Sequence, residues 1–295
     1  MKLTGVVCPM VTPLDSEQRI DEAGTRRLVS RLIAKGVDGL FLLGTMGEFP
    51  MLVEAEKERL VEIVADENRG RVKLLVNVSA EGPRKTELFL KKAVEAGADL
   101  LVLTPPYYYN TRDPKEIRDY YLYFSANSGR PILIYDAGKY TNNPLPDDLL
   151  IELSYQEEII GFKGMLFNHL PAFRELTGRT DFSLFQGDES SLDLALQLGA
   201  DGVVPGICSL AIDPCVQLYR RALAGDFQGA RAIQRELAEI QKTVYGTGGR
   251  HWGNGQKYAL SLLGICQEYI ATTLLPVSES DRGEIRRLLE KYAID

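Results

Sequence analysis

Lys163 closes an otherwise apolar run, Ile159-Ile160-Gly161-Phe162-Lys163. Burial disfavours the ammonium form, so a lysine in such surroundings is pressed toward a neutral amine. A neutral amine can attack a carbonyl carbon and form a Schiff base. The simpler reading of the same residue is a lysine that reaches solvent from a strand end. Tyr135 lies at the end of the preceding apolar run, residues 131–137. A phenol there can pass protons to and from a carbinolamine and its leaving oxygen. It can equally be a core tyrosine with a satisfied hydroxyl. The turn Gly44-Thr45-Met46-Gly47 offers backbone N–H groups able to hold a carboxylate, although many tight turns share that composition. Thr104-Pro105-Pro106 leads into three tyrosines, Tyr107, Tyr108 and Tyr109. Asp136, Asp188 and Glu189 are read as rim charges rather than as general bases.

Composition removes other chemistries. The 295 residues carry 34 Lys+Arg against 41 Asp+Glu, a formal charge of −7. Without a basic block, nucleic acid is not an expected partner. No apolar run approaches the roughly 18 residues of a membrane helix, so no membrane role is expected. The opening stretch is broken by Pro9 and Pro13 and does not read as a signal peptide. Cys8, Cys208, Cys215 and Cys266 form no C-x-x-C pair. They read as buried small hydrophobes in a reduced, cytoplasmic protein. The two histidines, His169 and His251, lack metal-site spacing and have no acidic residue beside them, so no metal is expected. No G-x-S-x-G elbow is present. The glycine-rich segment 246–255 follows a helical stretch rather than a strand and reads as a loop between helices.

Something must bring the lysine, the phenols and the turn together. Eight short apolar runs recur along the chain, at 5–11, 39–44, 73–79, 99–105, 131–137, 159–164, 182–187 and 202–207. Nearly all-apolar runs of this length suit parallel strands covered on both faces. Amphipathic stretches lie between them, as at 22–35, 53–67, 83–96 and 114–127. Pro83 and Pro114 sit at the first turns of two, where proline costs little. One phrase recurs, as AKGVDGLFLLG (34–44), EAGADLLVLTP (95–105) and QLGADGVVPGI (197–207). Each reads as helix end, glycine cap, short turn and buried strand. A repeated junction implies one repeated architecture. The expected fold is an α/β (β/α)8 TIM barrel over residues 1–224, with 208–224 as the eighth helix and a C-terminal helical extension over 225–295. An open doubly wound sheet is the alternative. In such barrels the chemistry sits at the C-terminal strand ends, where Lys163, Tyr135 and Thr45 would meet.

The chain resembles the dihydrodipicolinate synthase / N-acetylneuraminate lyase family of pyruvate-dependent class I aldolases. The resemblance spans the whole chain. It is carried by GTMGE (44–48; family pattern G-T/S-x-G-E), by TPPYYY (104–109), by IYDAG (134–138) with the lysine of GFKG 28 positions after the tyrosine, and by GDESSLDLALQLGADGVV (187–204). The resemblance implies that Lys163 forms the Schiff base with a 2-oxo acid such as pyruvate and that Tyr135 is the main acid/base group. It implies that Thr45 links Tyr135 to a tyrosine from a neighbouring subunit, either Tyr107 or Tyr108. It implies that the substrate carboxylate lies against Gly44, Thr45 and Met46, and that Gly187 and Val204 line the pyruvate site. It further implies a homotetramer, a dimer of dimers, with neither metal nor organic cofactor.

Several positions depart from the pattern. Met46 replaces a usual threonine. Asp136-Ala137-Gly138 replaces N-V/I-P. Gly164-Met165-Leu166 replaces an acidic-then-small stretch. Tyr140 stands where the synthase branch has an arginine that grips the second substrate's carboxylate, so Tyr140 would line an altered second-substrate pocket. The expected function is therefore cleavage or formation of a 4-hydroxy-2-oxo acid, such as a 2-keto-3-deoxy sugar acid, with pyruvate and an aldehyde as the small-molecule partners. The alternatives are a dihydrodipicolinate synthase-like condensing enzyme, a 2-oxo acid dehydratase, and a non-catalytic 2-oxo acid-binding paralogue.

Overall fold

A computed structural model describes residues 2–111, 113–249, 251–271 and 275–295, with side chains for all of these except 139, 247 and 252. Eight parallel strands close into a barrel in sequence order: β1 (Gly5–Pro9), β2 (Gly39–Leu42), β3 (Lys73–Asn77), β4 (Leu100–Leu103), β5 (Ile132–Tyr135), β6 (Ile159–Gly164), β7 (Ser183–Gln186) and β8 (Gly202–Val203). The ring closes where Gly5 and Val6 pair with Gly202 and Val203. This is the expected (β/α)8 barrel, not the open sheet. Each strand is followed by a helix: α1 (Glu22–Ala34), α2 (Glu54–Asn68), α3 (Pro83–Glu95), α4 (Pro114–Asn127), α5 (Asp147–Leu153), α6 (Leu170–Leu176), α7 (Leu192–Gln197) and α8 (Ile212–Leu223). Among the described residues three further helices follow: α9 (Phe227–Tyr245), α10 (Trp252–Leu262) and α11 (Glu279–Lys291).

Two apolar layers hold the barrel. The outer layer lies between strands and helices and includes Leu40, Leu42, Val76, Leu101 and Phe162. The inner layer fills the barrel with Leu3, Val7, Phe41, Leu75, Leu133, Phe185 and Val204. Alternating strand residues feed the two layers, so both faces are covered and the runs read as continuously apolar.

The recurring sequence phrase has a physical basis. Its glycines, Gly36, Gly97 and Gly199, end α1, α3 and α7 at φ of +91°, +106° and +99°, a region that a Cβ disfavours. Its aspartates, Asp38, Asp99 and Asp201, each latch the strand before. Asp38 Oδ2 accepts from Val6 N at 2.8 Å, Asp99 Oδ2 from Leu74 N at 2.9 Å, and Asp201 Oδ2 from Leu184 N at 2.9 Å. Each aspartate N–H donates back to the carbonyl of the same residue. The strand starts thus have their backbone groups satisfied at the barrel's N-terminal end.

Two expectations change in detail. Seven of the eight strands, all but β6, stop earlier than their apolar runs, because the run ends turn into the loops of the C-terminal rim. The glycine-rich segment 246–255 is not all loop: 247–249 forms a short 3₁₀ turn and α10 begins at Trp252. Its glycines permit the close approach of Gly255, where a Cβ would lie 1.8 Å from Val244 O. Arg250 of that segment lies outside the described residues.

Candidate active site

The β5–β6 pairing places Tyr135 directly beside Lys163. Both side chains rise from the inner layer at the C-terminal rim. Lys163 Nζ sits 3.8 Å from the centroid of the Tyr135 ring. With Leu133, Phe185 and Val204, Lys163 lines a small space inside the barrel. The Tyr135 hydroxyl lies 2.9 Å from Thr45 Oγ1, across the barrel mouth. Phe41 packs edge-on against the Tyr135 ring at 5.8 Å and fixes its tilt. A pocket of about 190 Å³ opens above these groups. Thr45, Met46, Tyr135, Tyr140, Lys163, Gly187 and Val204 all line it. Sequence reasoning therefore selected residues that the fold brings together.

The Gly44–Gly47 turn is built to present its backbone. Gly47 N donates to Gly44 O and Glu48 N to Thr45 O. Thr12 Oγ1 donates to Gly47 O and Asn77 Nδ2 to Leu43 O, which anchors both sides of the turn. Among the described residues, the N–H groups of Thr45 and Met46 have no hydrogen-bond partner. Two free donors beside a lysine suit an anion such as a carboxylate. Gly44 is part of the turn's own bonding and stands outside the pocket lining.

The tyrosine loop separates its candidates. Tyr107 turns inward and packs edge-on against Phe49 at 5.9 Å, and burial raises the pKa of its phenol. Tyr108 turns outward, 72 % exposed, with a left-handed φ of +79°. Among the described residues, neither hydrogen-bonds to Thr45. Asn143 fixes this loop, donating to Pro106 O at 2.6 Å and Tyr109 O at 2.9 Å.

The acidic residues correct the sequence reading. Glu189 is not a rim charge. Its half-buried carboxyl lines the pocket and accepts from Ile207 N at 2.5 Å, Gln241 Nε2 at 2.8 Å and Tyr245 Oη at 3.3 Å. Burial pushes its pKa up to about 7, against the pull of those donors and of Lys163. Asp136 also faces the pocket, with its carboxylate tied to His169. Asp188 stays in its own loop, accepting from Ser190 and Ser191.

Sequence reading missed the partners of the histidines and of Glu48. His169 lies between Asp136 and Asp147, and His251 faces Asp281. Glu48 forms a buried ion pair with Lys257 of α10 at 2.6 Å. Lys257 Nζ also donates to Tyr269 O, and Glu48 Oε2 accepts from Ala271 N. The only sequence signal for that pair was a charged residue in each of two apolar settings. Among the described residues, no His/Cys/Asp/Glu group could hold a metal, and no helix is long and apolar enough to cross a membrane.

Comparison with known proteins identifies the family and the fold. The model of the dihydrodipicolinate synthetase family matches residues 2–292. The 4-hydroxy-tetrahydrodipicolinate synthase of Methanothermobacter thermautotrophicus is 31 % identical over 255 residues, covering 83 % of this chain and 88 % of that protein. The "Probable 2-dehydro-3-deoxy-D-pentonate aldolase YjhH" of Escherichia coli K12 is 27 % identical over 299 residues, covering 99 % and 98 %. Among solved structures, YagE, a prophage protein of the dihydrodipicolinic acid synthase family from E. coli K12 in complex with pyruvate, superimposes with a TM-score of 0.91 at 26 % identity, covering 99 % of each chain.

Proposed function

The chain belongs to the dihydrodipicolinate synthetase family, whose members are lyases and aldolases, and from that premise we propose that it is a Schiff-base 2-oxo acid aldolase. Its substrate would be a 4-hydroxy-2-oxo acid of the 2-keto-3-deoxy sugar acid type, cleaved to pyruvate and an aldehyde. The observation that carries this reading is the juxtaposition of Lys163 Nζ with the Tyr135–Thr45 hydroxyl pair, beside two unpaired backbone donors.

The steps follow from those positions. The substrate carboxylate docks on the N–H groups of Thr45 and Met46, which brings C2 to Lys163. The amine adds to C2, Tyr135 gives its proton to the departing hydroxyl, and water leaves an iminium. The Tyr135 phenolate then takes the C4 hydroxyl proton. The C3–C4 bond breaks, its electron pair flows to the imine nitrogen, and the aldehyde departs. Tyr135 returns the proton to C3 of the enamine. Water hydrolyses the imine, giving pyruvate and restoring the amine and the phenol. The iminium supplies the electron sink that makes the bond break accessible.

Thr45 holds the phenol and would extend the relay to a tyrosine of a second copy in a homotetramer. Tyr108 suits that role better than Tyr107, because it projects outward while Tyr107 is packed on Phe49. The aldolase reading is preferred to a condensing synthase because Tyr140, rather than an arginine, stands at the pocket mouth. The four free, buried cysteines support a cytoplasmic setting. Borohydride reduction in the presence of pyruvate tests the proposal. A mass adduct confined to Lys163 is expected. A clean, unmodified Lys163 would instead favour a protein that binds a 2-oxo acid without turning it over.

A further inference from the structure

Asp136 lies one residue beyond Tyr135 in the pocket wall, and both of its carboxylate oxygens are engaged. Oδ1 accepts from Gly138 N at 2.7 Å, and Oδ2 faces His169 Nε2 at 2.8 Å. The other ring nitrogen of His169, Nδ1, faces Asp147 Oδ1 at 2.9 Å, at the start of α5. The ring is buried and stands edge-on to Phe162 of β6 at 5.1 Å. Tyr121 of α4 lies near Asp136, but its hydroxyl donates to Leu103 O.

Ionised carboxylates only accept hydrogen bonds, whereas a neutral imidazole has one N–H and one lone pair. A neutral ring would therefore set a lone pair against one of the two anions. One added proton turns both contacts into charge-assisted hydrogen bonds. Imidazole is the most basic of the three groups, so the proton resides there. We infer that His169 is an imidazolium that positions the Asp136–Tyr140 wall of the pocket and so governs which aldehyde is accepted, an inference that rests on the aldolase reading above.

The wall depends on this contact. Asp136 N donates to Lys163 O at 2.9 Å, which ties the aspartate to the reactive strand. The Asp136 carboxylate then holds the start of the 3₁₀ turn Gly138–Tyr140, whose first residue has a φ of +60°. Tyr140, the last residue of this turn, lines the pocket together with Met165. His169 is not among the residues that line the pocket. It is a positioning residue that acts through Asp136. Burial alone would disfavour its cation, but Asp136 and Asp147 outweigh that and hold its pKa above the ordinary 6.5. As pH rises through that raised value the clamp is lost, and the wall loosens on the alkaline side.

The first test uses the intact protein labelled with ¹⁵N. There are only two histidines, and the His169→Asn variant assigns the signals. Both ring nitrogens of His169 should carry protons at pH 7. A neutral ring at that pH would overturn the inference, whatever the protein catalyses. The second test compares His169→Gln and Asp147→Asn with the wild type on a panel of 2-keto-3-deoxy sugar acids. KM should rise about tenfold in His169→Gln while pyruvate trapping at Lys163 stays within about twofold. In Asp147→Asn the alkaline limb of kcat/KM should move to lower pH. Equal losses of trapping and turnover, or an unchanged KM, would also overturn it. Failure of the wild type to trap pyruvate would remove the aldolase reading and the specificity claim together.

Discussion

Gly187 and Lys163 occupy complementary space. A Cβ on Gly187 would lie 2.8 Å from Lys163 Cε and 3.0 Å from Nζ. The glycine after β7 is therefore part of how the amine is aimed, although it carries no chemistry itself.

Gly187→Ala should push the lysine off its line toward Tyr135. Misplacement by about 1 Å can cost about 100-fold in rate. Turnover is expected to fall by that order, with only a small change in melting temperature. Full activity in the alanine variant would show that Lys163 reacts from another rotamer.

Thr45→Val keeps the shape of the turn and removes the hydroxyl 2.9 Å from Tyr135. Positioned proton transfer is typically worth about 10²–10⁴-fold. A fall of about 100-fold in kcat is expected, with pyruvate KM nearly unchanged because the backbone donors remain. Steady-state kinetics with both parameters resolved will decide it.

Glu189 offers a pH signature. Its pKa is raised by burial from the ordinary 4.5 to about 7. The folded state thus holds this proton more tightly than the unfolded chain. The resulting stability is complete below about pH 4.5 and is lost as pH rises through 7, by at most about 3 kcal/mol. Glu189→Gln cannot ionise, so its stability advantage over the wild type should grow between pH 5 and 8. Parallel denaturant-unfolding curves for the two proteins across that range would refute the assignment.

The Glu48–Lys257 pair joins the Gly44–Gly47 turn to α10. Lys257→Met would leave Glu48 as a buried, uncompensated charge, which costs about 3–5 kcal/mol. Because Glu48 ends the turn that presents Thr45 N and Met46 N, pyruvate KM should rise as well. A Glu48→Leu/Lys257→Met double variant should recover much of the stability without recovering KM. Recovery of both would mean that the pair supports the fold but not the turn.

The barrel was legible in the sequence because its signals are local. Apolar run length, helical periodicity and the Gly-x-Asp junction each act within a few residues, and they also set the order of the elements. Lys163, Tyr135 and Thr45 were legible because strand ends in a barrel share one rim. What escaped was pairing across the fold. His169 has no acidic neighbour in sequence, yet it meets Asp136 from the loop after β5 and Asp147 from α5. Glu189 looked like a surface charge because the residues that donate to it, Gln241 and Tyr245, come from α9. Such contacts depend on helix placement, which periodicity does not specify.

The aspartate latches bear on how the barrel assembles. Those at Val6, Leu74 and Leu184 join β1 to β2, β3 to β4 and β7 to β8, each across a single intervening helix. Closing so short a segment costs little chain entropy, so these pairs can form before the ring closes. Among the described residues no such latch joins β5 to β6, and the register of that pair shifts between Ile132 and Leu133. Pulse-labelled hydrogen exchange should therefore protect the Val6, Leu74 and Leu184 amides earlier than that of Leu133. Tyr135 and Lys163 would then come into line late in folding, so that the nucleophile is assembled only as the barrel is completed.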